Sequence, residues 1–107
     1  MSDLVTDGSD PRLHETNPLT GQKKAYLILS DEERAKGFVR PVRQSYYHTT
    51  CGVRTRMSLE LAETYARQPT FYGATFCVKC RAHLPVSEFL WVDGPADGTI
   101  TDQTLGS

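Results

Sequence analysis

Two pairs of metal-binding side chains constrain this chain more than any other feature. His48-Thr49-Thr50-Cys51 is followed, after twenty-five residues, by Cys77-Val78-Lys79-Cys80. Each pair has a two-residue gap, and together they make a set of three cysteines and one histidine. Zn²⁺ takes four N/S ligands in a tetrahedron, and paired ligands at this gap are the usual way a protein supplies them. The expected site is therefore structural Zn²⁺ on His48, Cys51, Cys77 and Cys80. His83, three residues after Cys80, is the rival for the fourth place. His48 is preferred because its gap to Cys51 mirrors the gap between Cys77 and Cys80.

Other uses of the cysteines fit less well. Three thiols cannot form a self-contained disulfide framework. A thioredoxin-like Cys-x-x-Cys opens a helix in a βαβ unit, and no such unit is visible. A zinc deaminase places a catalytic Glu two residues after its metal histidine, where this chain has Thr50. With four protein ligands no position is left for an activated water. The expectation is a protein that is not an enzyme and has no small-molecule substrate.

The 107 residues allow one domain, and 38% hydrophobic content allows only a modest core. Small domains gain most from a metal tie. No apolar run approaches the roughly 20 residues that span a bilayer. The acidic, polar start lacks a signal-peptide core. No membrane contact and a cytoplasmic location follow as expectations.

The net charge of −1 conceals an uneven distribution. Residues 1–33 sum to −4, residues 34–59 to +6 and residues 82–107 to −4. The basic centre has two readings. Arg40, Arg43, Arg54 and Arg56, with Tyr46, Tyr47 and Lys79, could face a phosphate backbone and stack on bases. Alternatively the arginines are solvated or pair with the protein's own carboxylates. Acidic ends could screen the centre from nucleic acid, which tilts the expectation toward a protein partner.

Local signals fill in an α+β layout. Residues 1–24 hold Gly8, Pro11, Pro18 and Gly21 and few large apolar side chains, so they read as a disordered tail, His14 included. Ser30-Asp31-Glu32-Glu33 reads as a capping box for a short helix, stopped by Gly37 and Pro41. Period-two alternation places Val42, Gln44, Tyr46 and His48 on one strand face, and Val53, Thr55 and Met57 on another. Ser58 caps a second helix from Leu59 to Gln68. Thr70–Phe76 and Leu84–Val92 read as strands, with Phe71, Tyr72, Phe76, Phe89 and Trp91 as core around the metal. The expected domain, residues 25–93, is a zinc-ribbon or treble-clef-like pair of strand–knuckle–strand units joined by a helix. Residues 94–107 read as a second disordered tail.

The run Cys77-Val78-Lys79-Cys80-Arg81-Ala82-His83-Leu84-Pro85-Val86-Ser87-Glu88-Phe89 resembles the knuckle and strand of zinc-ribbon-like domains, including zinc modules beside phage nucleases. Residues 33–43, the His48/Cys51 pair and residues 61–67 resemble small proteins of tailed bacteriophages and prophages that carry no assigned activity. The likeness spans roughly residues 27–92 and implies a phage source and a zinc site. A His-Asn-His nuclease needs a catalytic Asn, whereas the only Asn is Asn17, so no nuclease is expected. The function these readings support is a non-catalytic, zinc-stabilised interaction module for a host or phage protein. The alternative is a nucleic-acid-binding module using segment 34–59.

Overall fold

A computed structural model describes residues 3–95 and 97–107. It is an α+β domain with a Cα radius of gyration of 13.2 Å, close to the ~13 Å of a compact chain of this length. β1 (Asp3–Val5) pairs in parallel with β2 (Ala25–Leu27), and a turn of 3-10 helix, Pro11–His14, lies between them. Helix α1 (Asp31–Arg34) follows, then β3 (Ser45–His48) and β4 (Arg54–Arg56). Helix α2 (Leu59–Arg67) leads to β5 (Ala74–Cys77) and β6 (Ala82–Pro85). A 3-10 turn, Val86–Glu88, then leads into β7 (Phe89–Asp93) and β8 (Thr99–Thr104).

Both helix starts were written in the sequence. Ser30 Oγ accepts from the Glu33 N–H, and Ser58 Oγ accepts from the Leu61 N–H. Helix α1 is only four residues long, and the φ of 112° at Gly37 turns the chain away. Helix α2 ends one residue before the expected Gln68, with Pro69 just beyond.

The antiparallel hairpin of β3 and β4 is joined by β7 and β8 in a four-stranded sheet of order β4-β3-β7-β8. Strands β5 and β6 form a separate antiparallel hairpin. Residues 84–92 are thus not one strand: the 3-10 turn moves the chain from the hairpin to the larger sheet. Between the sheets lies a core of Tyr46, Met57, Ala62, Tyr65, Cys77, Phe89, Trp91 and Leu105. The Tyr65 and Trp91 rings meet edge to face at 5.3 Å. Phe76 is buried as well, whereas Phe71 and Tyr72 are only half-buried.

The ends of the chain are not loose tails. Thr99–Thr104 pairs with β7, and Leu105, 1% exposed, closes the core with its N–H on the Phe89 carbonyl. The sequence hid this strand because it lies at a half-exposed sheet edge, where polar residues suffice. At the other end β1 pairs with β2, and Leu13 is buried between flanking polar residues. The domain therefore extends well beyond residues 25–93. The expected strand face also shifts: Val42 is exposed and Arg43 is buried, because β3 begins only at Ser45.

Leu105→Ala should consequently cost about 2–5 kcal/mol, the usual range for an emptied core leucine site. Urea unfolding measures this. A loss below about 0.5 kcal/mol, typical of surface changes, would mean that the last strand is not part of the core.

Candidate metal centre

The four side chains meet where two hairpins turn toward each other. His48 ends β3, and Cys51 sits in the turn that follows. Cys77 ends β5, and Cys80 sits in the turn before β6. The two turns are built alike. The Gly52 N–H donates to the His48 carbonyl at 2.8 Å, and the Arg81 N–H donates to the Cys77 carbonyl at 2.8 Å. Each donor follows the second ligand directly and has a positive φ, 74° at Gly52 and 54° at Arg81. The left-handed residue lets the chain reverse within a few residues, so both potential ligands of a pair face the same point.

His48 Nδ1 lies 3.1 Å from Cys51 Sγ and 3.7 Å from Cys80 Sγ, and Cys51 Sγ lies 3.5 Å from Cys77 Sγ. All four donor atoms fall within 4.8 Å of one another. Metal bonds of about 2.0–2.3 Å arranged tetrahedrally need donor separations of roughly 3.5–3.8 Å. The cluster could therefore close on a metal ion with only small movements.

The far side of His48 carries a carboxylate that sequence reading missed. His48 Nε2 lies 3.0 Å from Glu88 Oε1. An Nε2–H donated to Glu88 leaves the Nδ1 lone pair facing the sulfurs, as metal-ligating histidines require. Thr49 fixes the backbone of this residue, donating its N–H and its hydroxyl to the Glu88 carbonyl at 3.0 and 2.9 Å. Phe89, opposite His48 in the β3–β7 register, stacks on the imidazole at 4.6 Å. Only that register brings Glu88 to His48, forty positions away, so no local spacing could have signalled it.

The sulfurs are unequal without a cation. Burial raises the Cys77 thiol. Hydrogen bonds from the backbone N–H groups of Cys80 and Lys79 and from the neighbouring thiols outweigh it, leaving Cys77 lowered to about 7. Cys80 is raised to about 11, first by its hydrogen bond to the Cys77 sulfur and then by burial and the nearby sulfurs. The turn thus prepares one thiolate, and a cation is what would let all three sulfurs carry charge together.

His83 is not part of the cluster. Its Nε2 lies 2.7 Å from the Tyr26 hydroxyl, and its ring packs against Phe76. Burial, and secondarily Lys23, hold its pKa below the usual histidine value. His14 lies at the end of the 3-10 turn near the N-terminus and is exposed.

The basic residues do not gather as one face. Arg43 is buried, with its guanidinium 5.1 Å from the centre of the Trp91 ring and bonded to Asp93 and Gln103. Its Nε is the one buried side-chain polar atom without a partner among the described residues. Arg43 is thereby withdrawn from any phosphate-binding role. Arg54 donates to the Gly98 carbonyl at 2.7 Å and Arg40 to the Ser107 carbonyl at 3.3 Å. Arg56 and Lys79 are exposed.

Compared with known proteins, the chain matches no family model, no curated protein and no solved structure.

Removing Glu88 should weaken metal binding without removing a ligand. Glu88→Ala is expected to lower Zn²⁺ affinity about 10–100-fold, the usual effect of losing the partner of a ligating histidine. His48→Ala should lose more, and His83→Ala should change nothing. Competition against a chromophoric chelator reads all three. Loss of affinity in His83→Ala with none in His48→Ala would refute the ligand set.

Proposed function

We propose that this chain is a zinc-stabilised interaction module without catalytic activity, of zinc-ribbon or treble-clef-like construction, that docks on another protein. The observation that carries the zinc reading is the pair of matched turns converging on three sulfurs and one imidazole. Thiolates and an imidazole in a four-donor set suit Zn²⁺ better than a hard, oxygen-seeking cation. Four protein ligands leave no open position for substrate or water, which supports a structural rather than a hydrolytic site.

The protein-partner reading rests on what the surface offers. Phe38, Val39 and Val42 are 44%, 57% and 37% exposed within one short segment. Val78, at the tip of the second turn, is 50% exposed. Apolar side chains grouped on a surface suit a protein better than a phosphate backbone. The partner class implied by the resemblance of residues 27–92 is a host or phage protein. The nucleic-acid reading loses its main support with Arg43 inside the domain and Arg54 turned to Gly98.

Metal removal and a salt series test both halves. The purified protein should hold one Zn²⁺ per chain, and excess chelator or Cys77→Ser should collapse the near-UV circular dichroism of Trp91. Structural zinc contributes ~10–16 kcal/mol in small peptides, comparable to or above the ~5–15 kcal/mol net stability of a whole domain. A metal-free protein with an unchanged near-UV spectrum would end the structural-zinc reading. Filter binding to duplex DNA and single-stranded RNA should show no affinity that falls steeply with salt. A steep dependence would restore the nucleic-acid alternative.

A further inference from the structure

A cavity of about 450 Å³ is lined by none of the four clustered side chains His48, Cys51, Cys77 and Cys80. That volume is within the ~300–1,000 Å³ range of small-molecule sites. Its walls come from distant parts of the chain: the N-terminal segment through Leu4 and Tyr26, the end of β4, the first turn of α2, and β5. Five aromatic rings line it, those of Tyr26, Tyr46, Tyr65, Tyr72 and Phe76.

The tyrosine hydroxyls are largely engaged within the protein. Tyr46 donates to the Phe76 carbonyl, Tyr72 donates to the Leu27 carbonyl, and the Tyr26 hydroxyl is shared between His83 Nε2 and the Lys23 N–H. With these groups satisfied internally, the cavity offers an occupant mainly ring and aliphatic surface, to which Met57 and Leu61 add.

Two charges interrupt that apolar lining. Arg56 and Glu60 both border the cavity, at the end of β4 and in the first turn of α2. Neither makes an ion pair, with the other or with any described residue. The Arg56 guanidinium has one long hydrogen bond, to Gln44 Oε1 at 3.3 Å. The cavity therefore has an aromatic interior and, at its border, an exposed cation and a half-exposed anion without an ion-pair partner among the described residues.

We propose that this cavity binds a small aromatic molecule with a zwitterionic head, of the class of a free aromatic α-amino acid. The ring would lie among the tyrosines, the carboxylate would meet Arg56 and the ammonium would meet Glu60. An apolar body alone would use neither charge, and a purely anionic ligand would bring a like charge toward Glu60. Phe76 of the lining directly precedes Cys77, but the proposal uses none of the four clustered side chains and does not depend on what they bind. No sequence pattern announces it, because its lining residues are scattered from position 4 to position 76.

The test is a titration of the zinc-loaded, full-length protein followed by ¹H–¹⁵N NMR, using L-phenylalanine, 3-phenylpropionate and phenethylamine. L-Phenylalanine should shift cavity-lining amides saturably at one site. Each analogue, lacking one charge, should bind about two- to fivefold more weakly, the scale of an exposed ion pair. Arg56→Gln should weaken L-phenylalanine and 3-phenylpropionate but not phenethylamine. Glu60→Gln should weaken L-phenylalanine and phenethylamine but not 3-phenylpropionate. Ala74→Trp, with a folded spectrum, should fill the cavity and abolish all three. No saturable shift with any probe would overturn the proposal. So would shifts away from the cavity, or equal binding of the three probes to wild type and both charge variants.

Discussion

The convergence of His48, Cys51, Cys77 and Cys80 is the constraint on which the rest of the structure depends. The four-stranded sheet and the β5–β6 hairpin share no hydrogen-bonded ladder among the described residues. Besides the chain passing through the 3-10 turn, contacts that involve side chains join them. Tyr46 reaches from β3 to the Phe76 carbonyl, the Thr55 hydroxyl accepts from the Val78 N–H, and Cys77 from the hairpin enters the core of the sheet. These contacts all lie within a few residues of the four donors. Hydrogen bonds of this kind contribute about 1 kcal/mol each, so a shared ion is much the strongest tie the geometry permits. The same convergence places Glu88, since the β3–β7 register that aligns Phe89 with His48 delivers its neighbour to the other side of the imidazole.

The two ligand turns share a geometry but solve its backbone cost differently. In the first, Gly52 takes the left-handed conformation without penalty. In the second, Arg81 takes it, at a cost of roughly 1–2 kcal/mol for a residue with a Cβ. The arginine brings a compensating contact. Its guanidinium donates to the Leu19 carbonyl, and its own carbonyl lies so close to Gly21 that a Cβ there would stand 2.2 Å from the oxygen. The Tyr26–His83 hydrogen bond fastens the same region a second time. Of these contacts with the N-terminal segment, glycine at position 81 would lack the one made by the guanidinium.

These details separate what the sequence could disclose from what it could not. The ligand pairs, the serine caps and the strand-turn-strand character of residues 45–56 are local, because each depends on residues at most a few positions apart. The ends were misread because their order depends on distant partners. Thr99–Thr104 looks like a polar tail until β7 supplies its hydrogen bonds, and one leucine, Leu105, anchors it. Burial of Arg43 is equally hidden, since its stabilising groups, Trp91, Asp93 and Gln103, lie fifty or so residues downstream.

Arg43 also explains the charge asymmetry that made nucleic acid attractive. A basic centre between acidic ends can recruit an external polyanion or fold its ends over itself, and this chain does much of the latter. Asp93 lies 3.4 Å from the Arg43 guanidinium, the Gly98 carbonyl accepts from Arg54, and the Ser107 carbonyl accepts from Arg40. Two of the three acceptors, the Gly98 and Ser107 carbonyls, come from the C-terminal region that reads as a tail, and Asp93 ends the strand before it. The same fold that adds β8 to the sheet therefore carries two backbone carbonyls onto the basic segment. An arginine held by carbonyls and an aromatic ring is a poor phosphate ligand, because a phosphate would have to displace those partners before gaining its own. The strand missing from the sequence reading and the weakness of the nucleic-acid reading have one physical origin: residues 97–107 fold onto the domain rather than away from it.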